Sequence, residues 1–247
     1  MNKHIFITIE GMDGAGKTTT LGAVSDAIAD QCGEGPVVTR EPGGTPLNEN
    51  IRTSLLGQHG DGEKLSSLSE FLLMAGMRNH HVENTIIPSL MRGRHVLCSR
   101  FNDSMRVMQG LLGGVSPVIE ELSRMPEFRF LRARPDVTFF LDVGAEQANA
   151  RRERFEDHFD STYCRNGLRP ENAWREHFRS VERSYLTPTT FARVVRIDAS
   201  QPQKNVAQEI YQHTKDLLIS FENRKPLQRS YLDVMQLMTR TSVHISM

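Results

Sequence analysis

Residues 5–18 read IFITIEGMDGAGKT, and this stretch decides the fold class of the chain. The run Ile5–Glu10 is short and rich in β-branched side chains, which predicts a buried strand. Gly11–Thr18 follows directly and fits the pattern G-x-x-x-x-G-K-[ST], with apolar residues at helical spacing after it. In that context the glycines let backbone N–H groups turn toward a triphosphate, and the helix N-terminus adds partial positive charge. The stretch therefore predicts a nucleotide-binding phosphate loop between a strand and a helix.

The phosphate loop predicts roles for its own side chains. Lys17 is expected to reach the β- and γ-phosphates as a catalytic cation, and Thr18 is expected to ligate Mg²⁺. The loop alone does not distinguish a kinase from an ATPase or a GTPase, although the chain has no N/T-K-x-D motif for guanine. The residues expected around ATP at this loop are Gly11, Met12, Asp13, Gly14, Ala15, Gly16, Lys17, Thr18 and Thr19.

Strand and helix patterns alternate along the rest of the chain. This order implies a three-layer α/β fold in which helices cover both faces of a five-stranded, mostly parallel sheet. The predicted strands are Ile5–Glu10, Pro36–Arg40, His95–Ser99, Val137–Asp142 and Val194–Asp198. The main predicted helices are Pro46–Leu56, a long Leu65–Met91 that Pro88 could kink or end, and Pro202–Phe221.

Composition excludes several classes of protein. Thirty Lys and Arg balance thirty Asp and Glu among 247 residues, which argues against bulk binding to nucleic acid or to an acidic membrane. No apolar run approaches the ~18 residues that span a bilayer, and the chain enters its first strand without a signal peptide. Three cysteines far apart in sequence fit neither a disulfide framework nor a zinc site. We therefore expect a cytoplasmic protein without nucleic-acid or membrane partners.

A second motif, Thr39-Arg40-Glu41-Pro42-Gly43-Gly44-Thr45, ends the second predicted strand. Proline followed by two glycines specifies a rigid, tight turn. Parallel sheets place their ligand-binding loops at the carboxyl ends of strands, which is where this turn falls. Taken alone, the charged residues of the motif are as consistent with an ordinary turn as with a ligand site.

These motifs, in this order, resemble those of bacterial-type thymidylate kinases, P-loop enzymes that phosphorylate dTMP to dTDP with ATP. The resemblance covers roughly residues 5–220, and its most specific element is the TREPGGT turn. It implies an ATP- and Mg²⁺-dependent kinase domain over residues 1–221 with a mobile lid at about 151–170, followed by an extension, 222–247, of unassigned role. It also implies a homodimer, to which the predicted Leu65–Met91 helix would contribute.

The resemblance further implies roles around a pyrimidine deoxynucleoside monophosphate acceptor. Asp13 would meet the sugar 3′-hydroxyl, and Arg78 would contact a carbonyl of the base. Arg100 would hold the acceptor phosphate together with Arg52, because two reacting anions repel each other until cations bridge them. Arg100 would also be a catalytic residue, which binds the negative charge that spreads over the transferring phosphoryl group. The expected acceptor-binding residues are Asp13, Glu41, Pro42, Arg52, Met74, Arg78, Arg100, Ser104 and Gln109, while Ser200 and Gln201 would border the adenine of ATP.

An arginine-rich stretch resembles the lid of the same family. Residues 151–183 contain eight Arg, no Lys and seven acidic residues, a composition that suits a few fixed guanidinium contacts over a transferring phosphoryl group. Gly14 stands where some relatives carry a basic residue, so the resemblance implies that the lid supplies that cation. Arg152 and Arg154 are the expected catalytic lid residues, and Arg151 is a weaker candidate.

Three positions depart from the family pattern, and we expect all three near the acceptor. Met74 stands in place of a phenylalanine that stacks on thymine, and Phe71 could partly replace that ring from another angle. Ser99 replaces an acid, and Met108 replaces a tyrosine. These departures leave two alternatives to a dTMP kinase. One is a kinase for another or a C5-modified pyrimidine deoxynucleoside monophosphate, and the other is a nucleotide-binding protein without catalysis.

Overall fold

The computed structural model describes residues 4–56, 65–152, 169–184 and 194–222. In these ranges five strands form one parallel sheet in the order β2-β3-β1-β4-β5, so the strand that leads into the phosphate loop is central. This architecture confirms the predicted α/β fold with a five-stranded parallel sheet flanked by helices. The strands are β1 Phe6–Glu10, β2 Val37–Arg40, β3 Val96–Ser99, β4 Val137–Asp142 and β5 Val194–Asp198.

Helices connect the strands and pack against the sheet. Two π-helical segments, Val82–Ile86 and Arg106–Leu112, and a 3₁₀ segment, Pro126–Arg132, extend or join them. The α-helices are α1 Lys17–Cys32, α2 Pro46–Leu56, α3 Ser67–His81, α4 Ile87–Met91, α5 Asn102–Met105, α6 Ser116–Arg124, α7 Ala145–Arg152, α8 Pro170–Ser184 and α9 Gln203–Glu222.

The long helix expected over Leu65–Met91 is divided by a change of helical register. α3 begins after Ser66, whose hydroxyl caps it by accepting a hydrogen bond from the Ser69 N–H at 3.1 Å. The π-helical segment then separates α3 from α4. Pro88 lies in the first turn of α4, where a missing N–H is tolerated, so the chain remains helical through it.

The central strand β1 is buried on both faces, as expected for a parallel sheet covered by helices. Ile7 and Ile9 belong to the larger core cluster, which α1, α8 and α9 complete, whereas Phe6 belongs to a second cluster with Phe101. Because side chains alternate along a strand, Glu10 faces the same side as Phe6. This alternation directs a carboxylate at the carboxyl end of β1 toward the start of α5.

A helix that spans a membrane must be long and almost entirely apolar, and the helices of the described segments do not meet both requirements.

Candidate active site

Backbone conformation shapes the phosphate loop. Gly11, Gly14 and Gly16 all have positive φ angles, of 143°, 80° and 98° respectively. A Cβ atom at Gly11 would lie 2.8 Å from the carbonyl oxygen of Leu141, so a side chain there would collide with the neighbouring strand. The left-handed residue Gly16 directly precedes α1, which leaves the first N–H groups of that helix available to an anion.

Lys17 lies across this loop. Its ammonium donates hydrogen bonds to the carbonyl oxygens of Gly11 at 3.0 Å and Met12 at 2.8 Å, and it lies 3.4 Å from Asp13 Oδ1. The side chain is only 11% exposed. The loop thus holds its single cation over the carbonyl groups at its entrance, close to the N-terminus of α1.

Thr18 and Thr19 are exposed in the first turn of α1, whereas Ala15 is buried beneath the loop. Mg²⁺ usually keeps several waters and takes few protein ligands besides substrate phosphates. The exposed hydroxyl of Thr18 beside the phosphate loop therefore fits its expected role. Within the described ranges, no group of three or more His, Cys, Asp or Glu side chains is placed to hold a metal ion by itself.

Arg100 reaches the phosphate loop from the carboxyl end of β3. Its Nη2 donates to Asp13 Oδ1 at 2.5 Å, and its Nη1 donates to Ser104 Oγ at 3.0 Å. The guanidinium carbon lies 5.8 Å from the ring centroid of Trp174 on α8. Arg100 also has a φ of 65°, a left-handed conformation that is strained for a residue with a side chain. Strain of this kind persists where surrounding contacts hold a residue in place.

A buried ion-pair network lies beneath the TREPGGT turn. Glu41 Oε2 accepts from Arg78 Nη2 at 2.5 Å and from Nε at 2.7 Å, and Glu41 Oε1 lies 3.0 Å from His81 Nδ1. Burial raises the pKa of Glu41, but the Arg78 charge and the His81 hydrogen bond outweigh it, so the pKa lies below its ordinary value. The carboxylate is therefore ionised at neutral pH and commits Arg78 to a structural ion pair.

Arg78 keeps little hydrogen-bonding capacity for a ligand. Its Nη1 donates to Asn102 Oδ1 and contacts Met105 Sδ, both at 2.9 Å. A guanidinium has five N–H groups, and the bonds to Glu41, Asn102 and Met105 use four of them within the described part of the chain. One N–H on Nη2 is left for an acceptor, and its direction is set by the network.

His81 forms the far end of this network, although the sequence analysis assigned it no role. Its side chain is fully buried, and its Nε2 lies 2.7 Å from Thr39 Oγ1. Gly44, with a φ of 82°, passes so close that an added Cβ would collide with His81 Nε2 and lie 2.6 Å from Thr39 Oγ1. The turn therefore needs glycine at this position because the histidine ring occupies the space beside it.

Two polar side chains of α2 hold the same turn from the other side. Arg52 Nη1 donates to the Pro42 carbonyl oxygen at 2.9 Å. Asn48, which the sequence analysis missed, donates through Nδ2 to the carbonyl oxygens of Gly43 at 3.1 Å and Met77 at 2.7 Å. The TREPGGT turn is thereby bonded to both α2 and α3.

The turn after β5 is bonded to α7. Both the backbone N–H and the hydroxyl of Ser200 donate to Asp198 Oδ1, and these bonds lower the pKa of Asp198. Arg151 donates to the carbonyl oxygens of Ala199 at 2.9 Å and Gln201 at 3.4 Å. The weaker of the expected lid arginines is thus engaged at the turn that was expected to border adenine.

The family model described as thymidylate kinase matches residues 9–210. The chain belongs to the thymidylate kinase family.

Members of this family, including one of known structure, are similar to this chain over most of its length. A thymidylate kinase of Alkalilimnicola ehrlichii is 37% identical over 211 residues, which cover 83% of this chain and 90% of the relative. One of Symbiobacterium thermophilum is 36% identical over 216 residues, covering 87% and 94%. The crystal structure of thymidylate kinase from Ehrlichia chaffeensis matches with a TM-score of 0.60 and 30% identity, covering 85% of this chain and 98% of that one.

Membership in the thymidylate kinase family confirms the predicted resemblance and makes the chain a nucleoside monophosphate kinase. These matches do not favour either alternative left open by the sequence, namely a kinase for a modified pyrimidine nucleotide or a protein without catalysis.

The three positions that depart from the thymidylate kinase pattern do not share one environment. Met74 is 8% exposed and lies one helical turn before Arg78 on α3. Met108, in contrast, is 1% exposed and belongs to the main core cluster, so its side chain is a packing residue. Phe71 is fully buried in a third cluster with Ile119. Ser99, at the end of β3, is half-buried.

Two further carboxylates of the site were missed by the sequence analysis. Glu70 is buried on α3, and its Oε1 accepts a hydrogen bond from Gln109 Nε2 at 3.0 Å. Glu10 is fully buried at the end of β1, where it accepts hydrogen bonds from the backbone of Phe101 and the hydroxyl of Ser104. Only its position between a strand and the phosphate loop, where a charge is uncommon, could have singled out Glu10.

Part of the predicted lid lies outside the described residues. α7 ends at Arg152, whose side chain is not among them, and neither is Arg154 or the range 153–168. The expected catalytic roles of Arg152 and Arg154 therefore stay predictions. The same holds for the extension, of which only the last residue of α9, Glu222, is described.

Proposed function

We propose that this protein transfers the γ-phosphoryl group of ATP to dTMP, forming ADP and dTDP. The observation that carries the proposal is the meeting of two cations at one carboxylate. Lys17 of the phosphate loop and Arg100 from the end of β3 both approach Asp13 Oδ1, at 3.4 and 2.5 Å. A donor-side cation and an acceptor-side cation thus lie within one short span, as phosphoryl transfer between two anions requires.

The phosphate groups are bound by positive charge and by the loop backbone. Gly11–Thr19 surrounds the phosphates of ATP, with Lys17 on the γ-phosphate, and Arg52 and Arg100 hold the acceptor phosphate for attack in line. No general base is needed, because the acceptor oxygen is already an anion near neutral pH. Thr18 would hold Mg²⁺ on the ATP phosphates, which supplies further positive charge there.

The deoxynucleoside is held between the TREPGGT turn, α3 and the start of α5. Arg78 offers its one remaining N–H to a carbonyl of the pyrimidine, while Glu41 fixes the orientation of that guanidinium. Pro42, the next residue of the turn, is a further part of the proposed acceptor site. Met74 lies against the base. The further residues proposed for this acceptor site are Asp13, Ser104 and Gln109.

The adenine side and the lid complete the proposed site. Ser200 and Gln201 border the adenine, and Arg152 and Arg154 close over the transferring phosphoryl group. If these two arginines act mainly in the transition state, alanine at either position lowers kcat more than it raises KM for ATP. A higher KM with unchanged kcat would make them ground-state binding residues instead.

The test of the function is an ADP-release assay with ATP, Mg²⁺ and a panel of monophosphates. We expect dTMP to give the highest kcat/KM, above dUMP, dCMP, dGMP and C5-substituted analogues of dTMP. A higher kcat/KM for a bulkier C5 analogue would replace dTMP as the substrate. Absence of acceleration by any monophosphate, in a folded protein that binds ATP, would contradict kinase activity.

We also propose that the protein acts in the cytoplasm and that residues 1–221 form its kinase domain, followed by the extension. Two copies would form a homodimer through α3. Four leucines at and near the start of α3 are 37–49% exposed, a group of apolar side chains larger than a single scattered residue. Light scattering should give twice the chain mass, and Leu72→Glu should give a monomer. Ile219→Glu, on the exposed side of α9, is the matched control and should leave the dimer intact. A monomeric wild-type protein would contradict the dimer. The leucines are Leu65, Leu68, Leu72 and Leu73.

A further inference from the structure

Glu10 is a buried carboxylate whose two oxygens have separate partners. Oε1 accepts from the Phe101 N–H at 2.7 Å and from the Ser104 N–H at 3.4 Å, while Oε2 accepts from the Ser104 hydroxyl at 2.5 Å. These partners lie more than ninety residues away along the chain. An ionised carboxylate accepts hydrogen bonds only, so it fits this set of donors.

The same serine links Glu10 to the cation of the acceptor site. Ser104 Oγ donates its hydrogen to Glu10 and accepts one from Arg100 Nη1 at 3.0 Å. The other end of the guanidinium bonds to Asp13. A continuous series of hydrogen bonds therefore runs from the end of β1 to the phosphate loop, and it passes through the residue whose backbone is strained.

We propose that Glu10 is a positioning residue for phosphoryl transfer, which holds Arg100 in place through Ser104 and does so only in its ionised form. The proposal rests on the proposed role of Arg100 in binding the acceptor phosphate. Glu10 itself does not contact the substrate.

The direction of the Ser104 hydroxyl makes the effect depend on a proton. A protonated Glu10 carries a donor that competes with the Ser104 O–H for the same contact, so the hydroxyl must turn away and the series is broken. Protonation also removes the negative charge that faces Arg100. Charged or titratable groups that face Glu10 are Asp103 and Arg100 near α5 and Cys98 on β3.

The environment of Glu10 brings its titration into the neutral range. Burial and the charge of Asp103 raise the pKa of Glu10 to about 7, although Ser104 and Arg100 act in the opposite direction. Asp103 is itself 2.9 Å from His177 Nε2 on α8. Glu10 is therefore placed to change its charge within the pH range in which such a kinase works.

The test compares the pH dependence of kcat in the wild-type protein and in Glu10→Gln. Glutamine has the same shape but a neutral amide, and it mimics the protonated acid. At pH 8 we expect kcat of the variant to be lower by roughly 10- to 100-fold, the order of effect that misplacement of a binding group produces. At pH 6 the ratio of wild-type to variant kcat should fall several-fold. The acceptor phosphate titrates near pH 6 in both proteins and cancels in that ratio.

Ser104→Ala provides a second variant, because it keeps the Glu10–Phe101 hydrogen bond and removes the hydroxyl that links Glu10 to Arg100. We expect the same loss at pH 8, and the double variant should be no slower than the slower single variant, since both changes break one series. Glu34→Gln, at a largely exposed glutamate, is the matched control and should keep the wild-type profile. If Glu10→Gln does not fold, the test uses Ser104→Ala instead, and the ratio of wild-type kcat to its kcat is compared at pH 6 and pH 8.

The results separate this proposal from the function it rests on. A wild-type protein that does not use dTMP at pH 8 contradicts the proposed function. An active wild-type protein with a constant ratio between pH 6 and 8, or with additive single-variant losses, contradicts the positioning role of Glu10 and leaves the kinase assignment in place.

Discussion

The proposed donor and acceptor sides of the active site are built from different kinds of chemical group. The phosphate loop depends on backbone conformation, with three glycines at positive φ and exposed hydroxyls in the first turn of α1. The acceptor side depends on buried side chains that are bonded to one another, including Glu41 with Arg78 and Ser104 with Arg100. The phosphate loop presents main-chain groups to a ligand, whereas most of the hydrogen-bonding capacity on the acceptor side is used to pair charges that the fold has buried.

This difference separates two kinds of mutational effect. Removal of a donor-side cation takes away an interaction with substrate and leaves the packing of the chain unchanged. Removal of an acceptor-side charge leaves its partner buried without compensation, so binding and stability fall together. The comparison of activity with thermal stability in single variants can therefore show whether the two sides are built as described.

The largest expected effect is on the donor side. Lys17→Ala should reduce kcat by about 10³-fold, because a positioned cation at the γ-phosphate contributes on that order to phosphoryl transfer. The melting temperature should stay close to that of the wild type, since the Gly11 and Met12 carbonyl groups and Asp13, to which Lys17 bonds, belong to the phosphate loop itself. ADP release and a thermal melt measure the two quantities, and near-normal turnover would contradict the mechanism.

The next effect is on the acceptor side and concerns stability. Glu41→Gln leaves Arg78 buried beside a neutral group, and the broken pair should lower the free energy of unfolding by about 3 kcal/mol. The control is Arg40→Ala, which breaks an ion pair with Glu49 whose side chains are 53% and 38% exposed. That change should cost at most about 1 kcal/mol. Urea denaturation of both variants measures the two losses in the free energy of unfolding. Equal losses would contradict the distinction between buried and exposed ion pairs.

A smaller effect on stability is expected from Glu10. Its pKa lies at about 7 in the folded chain against an ordinary value of 4.5, so the folded state holds this proton more tightly. The stabilisation is complete below pH 4.5 and is lost as the pH rises to about 7. The slope is at most about 1.4 kcal/mol per pH unit. Relative to Glu10→Gln, wild-type protein should thus lose stability between pH 5 and pH 8, as measured by denaturation at each pH. A constant difference would show that burial does not raise this pKa.

The smallest expected effect is on the affinity of the proposed acceptor side for its nucleotide. An aromatic ring stacked on a base contributes roughly 1–3 kcal/mol in nucleic-acid complexes, and Met74 offers less flat overlap. Met74→Phe should therefore bind dTMP more tightly by about 5-fold. The gain should be smaller for a pyrimidine with a larger C5 group, because a rigid ring adjusts less. Calorimetric titration with both nucleotides tests this, and unchanged affinities would show that Met74 does not face the base.

The local features of this protein could be predicted from its residues. The helix Pro46–Leu56 and the strands Val137–Asp142 and Val194–Asp198 have the bounds that their apolar patterns predict. The phosphate loop was predictable because glycine at fixed intervals is a direct requirement of its backbone. The place at which Leu65–Met91 divides was not, because a π-helical turn has no residue signal as direct as that of proline, and Pro88 lies after the division in the first turn of α4.

By itself, the sequence determined the fold class, the phosphate loop and the family, since each depends on residues that are close together or on their order along the chain. Only the tertiary structure decided which side chains pair. Glu10 meets Ser104 across ninety-four residues, and Glu41 meets His81 across forty. It also assigned Met108 to the core. The physical reason is that the carboxyl ends of β1, β2 and β3 meet at one edge of the sheet. Strand order therefore decides which side chains surround a buried charge there, and strand order cannot be deduced from the spacing of residues along the chain.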